Sequence, residues 1–172
     1  IGDTVIIQKA GEIIPAVVQV LKKLRSGQEK KYNFPKLCPA CHSKIKREKK
    51  EVAYYCSYNK CYAQNIERIR HFVSQKGFNI DGLGNNIITL LVDQGLVTNF
   101  SDLFRLKIGD LEILEGFAEK KSTKICQAIE DSKEIELANF IYALGIRHIG
   151  LETSLLLANY YQDFSKLMNT SK

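Results

Sequence analysis

Four cysteines between residues 38 and 61 constrain this chain more than anything else in it. They read Cys38-Pro39-Ala40-Cys41, then fourteen residues, then Cys56-Ser57-Tyr58-Asn59-Lys60-Cys61. Two close pairs across a short basic loop have the spacing of a structural zinc site. A tight turn aims two thiolates at one ion, and a second turn completes the tetrahedron. Four thiolates close the coordination sphere, so a metal there holds shape and leaves no open position for a substrate. The second pair encloses four residues, where two is commoner. The competing reading is two disulfides in a secreted domain. Against it stand an unpaired fifth cysteine, Cys126, and the expectation that no secretory leader precedes the pairs. His42 and His71 could replace a cysteine ligand, but four thiolates already suffice.

At 172 residues the chain has the length of one or two domains. No apolar run approaches the ~18 residues of a membrane span, so a soluble protein is expected. The net charge of +6 is unevenly spread. Residues 1–60 carry 13 Lys or Arg against 5 Asp or Glu, whereas residues 61–172 carry 12 against 14. Four thiolates around one zinc would remove two units from the first part and leave it basic, which suits a polyanionic partner such as nucleic acid. Taken alone, such a charge run is better read as a solvated, soluble surface.

In chain order, Thr4-Val-Ile-Ile-Gln8 and Pro15-Ala-Val-Val-Gln-Val-Leu21 have strand composition, and Gly11 breaks the chain between them. Two strands make no stable sheet alone, so the expectation is a chain that starts inside a β domain whose other strands are missing. Residues 22–36 are basic and polar and read as a linker or exposed loop. Lys44, Lys46, Arg47, Lys49 and Lys50 crowd the loop between the cysteine pairs, where zinc would pin them and present their charges. After Cys61, the spacing of Ile66, Ile69, Phe72 and Val73 predicts a helix from about Ala63 to Lys76, with Gly77 as its stop.

The second half repeats itself. Ile80-Asp-Gly82-Leu-Gly84 aligns with Leu114-Glu-Gly116-Phe-Ala118 and with Ile146-Arg-His148-Ile-Gly150, at separations of 34 and 32 residues. A helix is expected after each turn. Its fourth position is Ile88, Ser122 or Ser154, its seventh Leu91, Ile125 or Leu157, and its eighth Val92, Cys126 or Ala158. The alignment makes Cys126 a small core residue with no reactivity implied. A glycine turn entering a helix N-terminus turns backbone N–H groups outward, and such a nest binds an anion. The pattern resembles the helix-hairpin-helix motif, which grips the DNA backbone without reading bases. A purely structural helical repeat is the alternative. Ala118 and His148 depart from the glycine pattern. Lys120 and Lys121 after the second turn, and Arg147 and His148 in the third, supply charge for phosphates. The candidate DNA contacts are thus Gly82, Gly84, Gly116, Lys120, Lys121, Arg147, His148 and Gly150. Phe164-Ser-Lys-Leu-Met168 stands where a fourth hairpin would be prepared.

A β segment, a four-cysteine knuckle and serial hairpins in that order resemble the bacterial NAD-dependent DNA ligases. Gly2-Asp-Thr-Val5 and Lys9-Ala-Gly-Glu-Ile-Ile-Pro15 look like the end of that family's OB domain. Cys38-Pro-Ala-Cys41 and Cys61-Tyr-Ala-Gln64 look like its zinc finger. Leu114-Glu-Gly-Phe-Ala-Glu-Lys120 and Ala143-Leu-Gly-Ile-Arg-His-Ile-Gly150 look like its second and third hairpins. Departures are Tyr62, where the family usually has proline, and Ala118 and Lys121. The resemblance covers essentially the whole chain. It implies a mainly α fold with a small β part: truncated OB-fold strands over 1–34, a zinc finger over 35–66 with Cys38, Cys41, Cys56 and Cys61 as ligands, and a helix-hairpin-helix domain over 67–172.

It also implies a part in sealing nicks in duplex DNA during replication and repair, in a bacterial cytoplasm, as a monomer. In the family, a lysine of a Lys-x-Asp-Gly motif takes AMP from NAD. This chain has no such motif. Its only Asp-Gly, Asp81-Gly82, follows Ile80. Structural zinc is therefore the cofactor expected here, with NAD and magnesium bound outside this stretch and no catalytic residue within it. The alternatives are a stand-alone zinc-containing nucleic-acid-binding module without ligase activity, and a zinc-stabilised module that touches only protein.

Overall fold

The computed structural model describes residues 1–11, 13–48 and 51–169. Helix α1 (Tyr62–Val73) is the spine. Its Ile66, Ile69, Phe72 and Val73 recur every three or four residues, and all four are buried. The helix begins directly on a candidate metal ligand, because Cys61 is its N-cap residue. It runs through residues 66 and 67 without a break.

α1 ends three residues short of Lys76, and Gly77 is not its stop. The Ser74 hydroxyl and amide both donate to the His71 carbonyl, at 2.7 and 3.2 Å. The chain then doubles back. Phe78 N–H donates to the Phe72 carbonyl (2.9 Å) and Ile80 N–H to that of Val73 (3.2 Å). Gly77 sits where a Cβ would lie 2.4 Å from the Phe72 carbonyl oxygen. It is a close-approach residue that lets the chain fold over the helix end.

The remaining helices wrap this spine. They are α2 (Asn85–Asp93), α3 (Phe100–Leu103), α4 (Ile108–Glu112), α5 (Glu119–Asp131), α6 (Leu137–Ala143), α7 (Leu151–Tyr161) and α8 (Phe164–Met168). One cluster of buried side chains joins α1 to α6, with Ile69, Leu91, Leu103 and Leu111 wholly enclosed. Each such aliphatic side chain contributes about 1.5–3 kcal/mol by leaving water. Phe72 anchors the centre, stacked on Phe78 and Phe100 at centroid separations of 4.2 and 4.6 Å. Cys126 lies half-buried at the edge of this cluster, and burial raises its thiol pKa.

The β content is small and antiparallel, so the chain is mainly helical. β1 (Val5–Ala10) pairs with β2 (Ile14–Val20) from Val5↔Val20 to Ala10↔Ile14, around a turn with Gly11 at φ +69°. Ile7, Ile14 and Val17 on this ribbon are exposed. Asp3 closes its base with two hydrogen bonds from Arg25. Within 22–36, only Lys22–Leu24 form a helical turn. β3 (Ile45–Lys46) and β4 (Tyr55–Cys56) form a second, two-residue ladder around the cysteines. No helix of the described residues is long and apolar enough to cross a membrane.

Candidate metal centre and the helix-entry turns

Two short turns and one helix start bring the cysteines together. In the first turn, His42 N–H donates to the Cys38 carbonyl and Cys38 N–H to that of Ser43, both at 2.8 Å, with His42 at φ +55°. In the second, Cys61 N–H donates to the Tyr58 carbonyl (3.0 Å) as α1 begins. The ladder between β3 and β4 holds the two turns face to face, and Ser57 N–H to Lys44 O (3.0 Å) extends it.

The four sulfurs lie within 4.8 Å of one another. Cys38 Sγ is 3.9 Å from Cys61 Sγ, and Cys41 Sγ is 3.3 Å from Cys56 Sγ. A tetrahedral zinc with Zn–S bonds of about 2.3 Å requires sulfurs about 3.8 Å apart, so the set fits that ion. All four are free thiols, not disulfides. Cys38 and Cys61 are buried, Cys41 and Cys56 half-buried. His42 and His71 are not in the group. The His71 ring instead bonds the Tyr142 carbonyl at 2.8 Å.

Charge explains why such a group needs a cation. Ser43, through its side chain and its backbone amide, draws the Cys41 thiol down to about 6. The Tyr58 amide also lowers Cys56, but burial and the neighbouring sulfurs outweigh it and push that thiol up to about 12. Sulfurs this close resist joint ionisation, and a divalent cation removes the resistance by binding all four as thiolates.

The residues from 38 to 63 match the family model of the NAD-dependent DNA ligase C4 zinc finger domain. That match spans the four clustered cysteines and the first two residues of α1. The similarity runs well beyond the finger. A DNA ligase of Hydrogenobaculum sp. (strain Y04AAS1) is 45% identical over 172 residues, all of this chain and 25% of that ligase. One from Thermodesulfovibrio yellowstonii is 43% identical over 97% of this chain and 25% of its own length. One from Bacillus mycoides is 42% identical over the whole chain and 26% of its own length. The chain therefore spans about a quarter of the curated ligases it matches.

The three repeated turns share one geometry. Gly82, Gly116 and His148 all have positive φ, at +86°, +78° and +66°. Two residues on, Gly84, Ala118 and Gly150 cap α2, α5 and α7 with extended backbone. Between them, Leu83 and Phe117 are buried and Ile149 half-buried. The fourth helix position is buried in all three helices. Where it is serine, its hydroxyl returns to the cap carbonyl: Ser122 to Ala118 (3.3 Å) and Ser154 to Gly150 (2.9 Å).

The predicted contact residues fall into two places. Gly82, Gly84, Asn85, Asn86 and Lys121 line one open groove of about 780 Å³ beside the first turn. Lys121 Nζ sits 3.7 Å over the Phe117 ring and donates to Gly116 O (3.3 Å). Lys120 is exposed one residue away. Arg147, His148 and Gly150 lie instead beside the zinc finger.

Residues that sequence patterns did not single out meet them there. Arg147 Nη1 donates to Glu48 Oε1 (2.6 Å) and Nη2 to Glu51 Oε2, with its guanidinium 4.5 Å from the centre of the Tyr55 ring. The Tyr55 hydroxyl donates to Glu51 at 2.6 Å. Tyr55, then burial working in opposition, then Arg147 set the Glu51 carboxyl, which ends below the usual carboxylate range. Glu48 and Glu51 are the only acids between residues 30 and 60, and that isolation in a basic stretch was the available signal. Lys124, which pairs with Asp81 of the first turn at 2.9 Å, carried none. Of the basic finger loop, Arg47 is folded back onto the Glu51 carbonyl (2.8 Å), and Lys49 and Lys50 lie outside the described residues.

Proposed function

We propose that this chain is the DNA-gripping portion of an NAD-dependent ligase that seals nicks in duplex DNA during bacterial replication and repair. In this reading residues 1–34 are the end of an OB-fold domain, 35–66 the zinc finger and 67–172 a helix-hairpin-helix domain. The grip is on the sugar-phosphate backbone, independent of sequence, and the protein acts as a cytoplasmic monomer. AMP transfer from NAD, with its magnesium, belongs to parts of the enzyme outside this stretch. Zinc held by Cys38, Cys41, Cys56 and Cys61 supplies rigidity and no chemistry.

The observation that carries the reading is the state of two glycines. Gly84 and Gly150 have negative φ, and a Cβ built on either would meet nothing within 4 Å. Neither backbone strain nor packing calls for glycine there. A surface that a second molecule must approach closely does call for it. Each glycine caps a helix of nine or more residues, whose first amides carry partial positive charge toward an anion. Gly84 opens onto the same groove as Lys121. A phosphate there meets amide hydrogens and a cation, contacts that carry no base sequence information.

Nicked-duplex binding across a salt series tests this. Counterion release makes affinity fall on the order of a hundredfold between about 50 and about 200 mM salt if several phosphates are held. The slope should not change when the duplex sequence is scrambled. Affinity that ignores both salt and DNA would favour a module that touches only protein.

A further inference from the structure

We propose that Arg147 is a positioning residue: with Glu48, Glu51 and Tyr55 it latches the third helix-entry turn to the zinc finger, so that metal occupancy sets where that turn sits. The inference rests on the proposed reading only in naming the turn a DNA-facing one; the latch itself is a property of this chain.

Four observations converge. The partners lie 96 and 99 residues apart in sequence, so the contact is tertiary and no helix imposes it. Both arms of the guanidinium are taken, one by each carboxylate, while its face lies against Tyr55. A forked, stacked arginine is held in orientation as well as position. Tyr55 precedes the metal ligand Cys56 within β4 and bonds Glu51, so the finger side of the latch is tied to the cysteines through one strand. Finally, apolar packing does not do the same job. Ile146, Ile149 and Gly150 of the turn and Ala63, Gln64 and Glu67 of α1 line an open cavity of about 600 Å³. The polar latch bridges what the core leaves open.

The expected consequence is that Arg147 serves the grip by orienting the amides at the start of α7, and not as a phosphate contact while it is latched. His148, 3.7 Å from Glu51, sits on the same anchor.

Hydrogen exchange on the whole zinc-loaded chain tests the latch without DNA. The readout is the amides of residues 149–154. In E48Q/E51Q these should exchange faster, by up to about fivefold for each pair lost, with zinc content still stoichiometric. Chelating zinc from the unchanged protein should give the same local acceleration. The charge-swapped pair E51R/R147E should recover part of the protection lost in R147E alone. Unchanged exchange in E48Q/E51Q with zinc retained, or unchanged exchange on chelation, overturns the proposal. Nicked-duplex affinity measured on the same samples reports on the grip separately. A protein with a working latch that ignores DNA would refute the proposed function and leave the latch standing.

Discussion

At the scale of single residues, Gly82 and Gly84 stand two positions apart and answer to different forces. Gly82 is held at φ +86°, and a Cβ there would press on Ile125 Cγ1 at 3.1 Å. Its requirement is internal. Gly82→Val should cost about 1–2 kcal/mol from the left-handed backbone alone, read as a lowered denaturant midpoint. Gly84 has an ordinary φ and empty space around it. Gly84→Val should cost less than about 1 kcal/mol as a cap change. If the first turn holds a phosphate, the same branched side chain fills the approach. Nicked-duplex affinity should then drop about tenfold or more, the worth of one charge-assisted hydrogen bond. Full affinity in Gly84→Val, with stability intact, would remove this turn from the interface. Ala118 marks the equivalent position in the second turn, and its Cβ already narrows that approach.

At the scale of elements, periodicity located what depends on periodicity. The buried face of α1 was legible from Ile66, Ile69, Phe72 and Val73, because side chains three and four apart must share a face. The entries to α2, α5 and α7 were legible from the repeat, because a left-handed residue followed by an extended cap needs small or specially tolerant residues. The end of α1 was not legible. Gly77 looked like a stop, but the helix yields earlier to Ser74, and Gly77 instead serves the return of the chain toward Phe78. That contact joins two backbones, which no side-chain pattern records. Gly77→Ala would place a methyl 2.4 Å from a carbonyl oxygen that is itself hydrogen-bonded. The expected loss is about 3 kcal/mol, at the upper end of overpacking costs, seen as a lower Tm with zinc still bound. The partners of Arg147 were hidden for a related reason. Charge and its place in the repeat marked it for phosphate, and only the tertiary fold brings Glu48 and Glu51 to it.

At the scale of the whole molecule, two supports divide the chain. The helical core contains Ile69, Phe72, Leu91, Leu111 and Ile125 and none of the four clustered cysteines. The finger, with its two-residue strands, encloses little apolar surface of its own, so an ion on its four cysteines is expected to supply its order. Cys56→Ser should therefore release zinc and free residues 38–61 while most helical circular dichroism remains. Acid should do the same to the unchanged protein, and the sign follows from proton competition. Zinc binds thiolates, so each proton an emptied site takes up works against the ion, and metal-derived stability is present at high pH and lost as pH falls. Cys41, drawn down to about 6 chiefly by Ser43, loses its proton far more readily than Cys56, which is pushed up to about 12 and holds its proton throughout the neutral range. Above about pH 6 the emptied site keeps Cys41 ionised, and below it Cys41 takes a proton as well. Zinc affinity should accordingly fall more steeply with acidification below pH 6 than above it, by about one further tenfold step per pH unit. A chromophoric chelator titrated against the protein from pH 8 to pH 5 measures this slope. A metal affinity that does not change with pH would mean that thiolates are not the ligands.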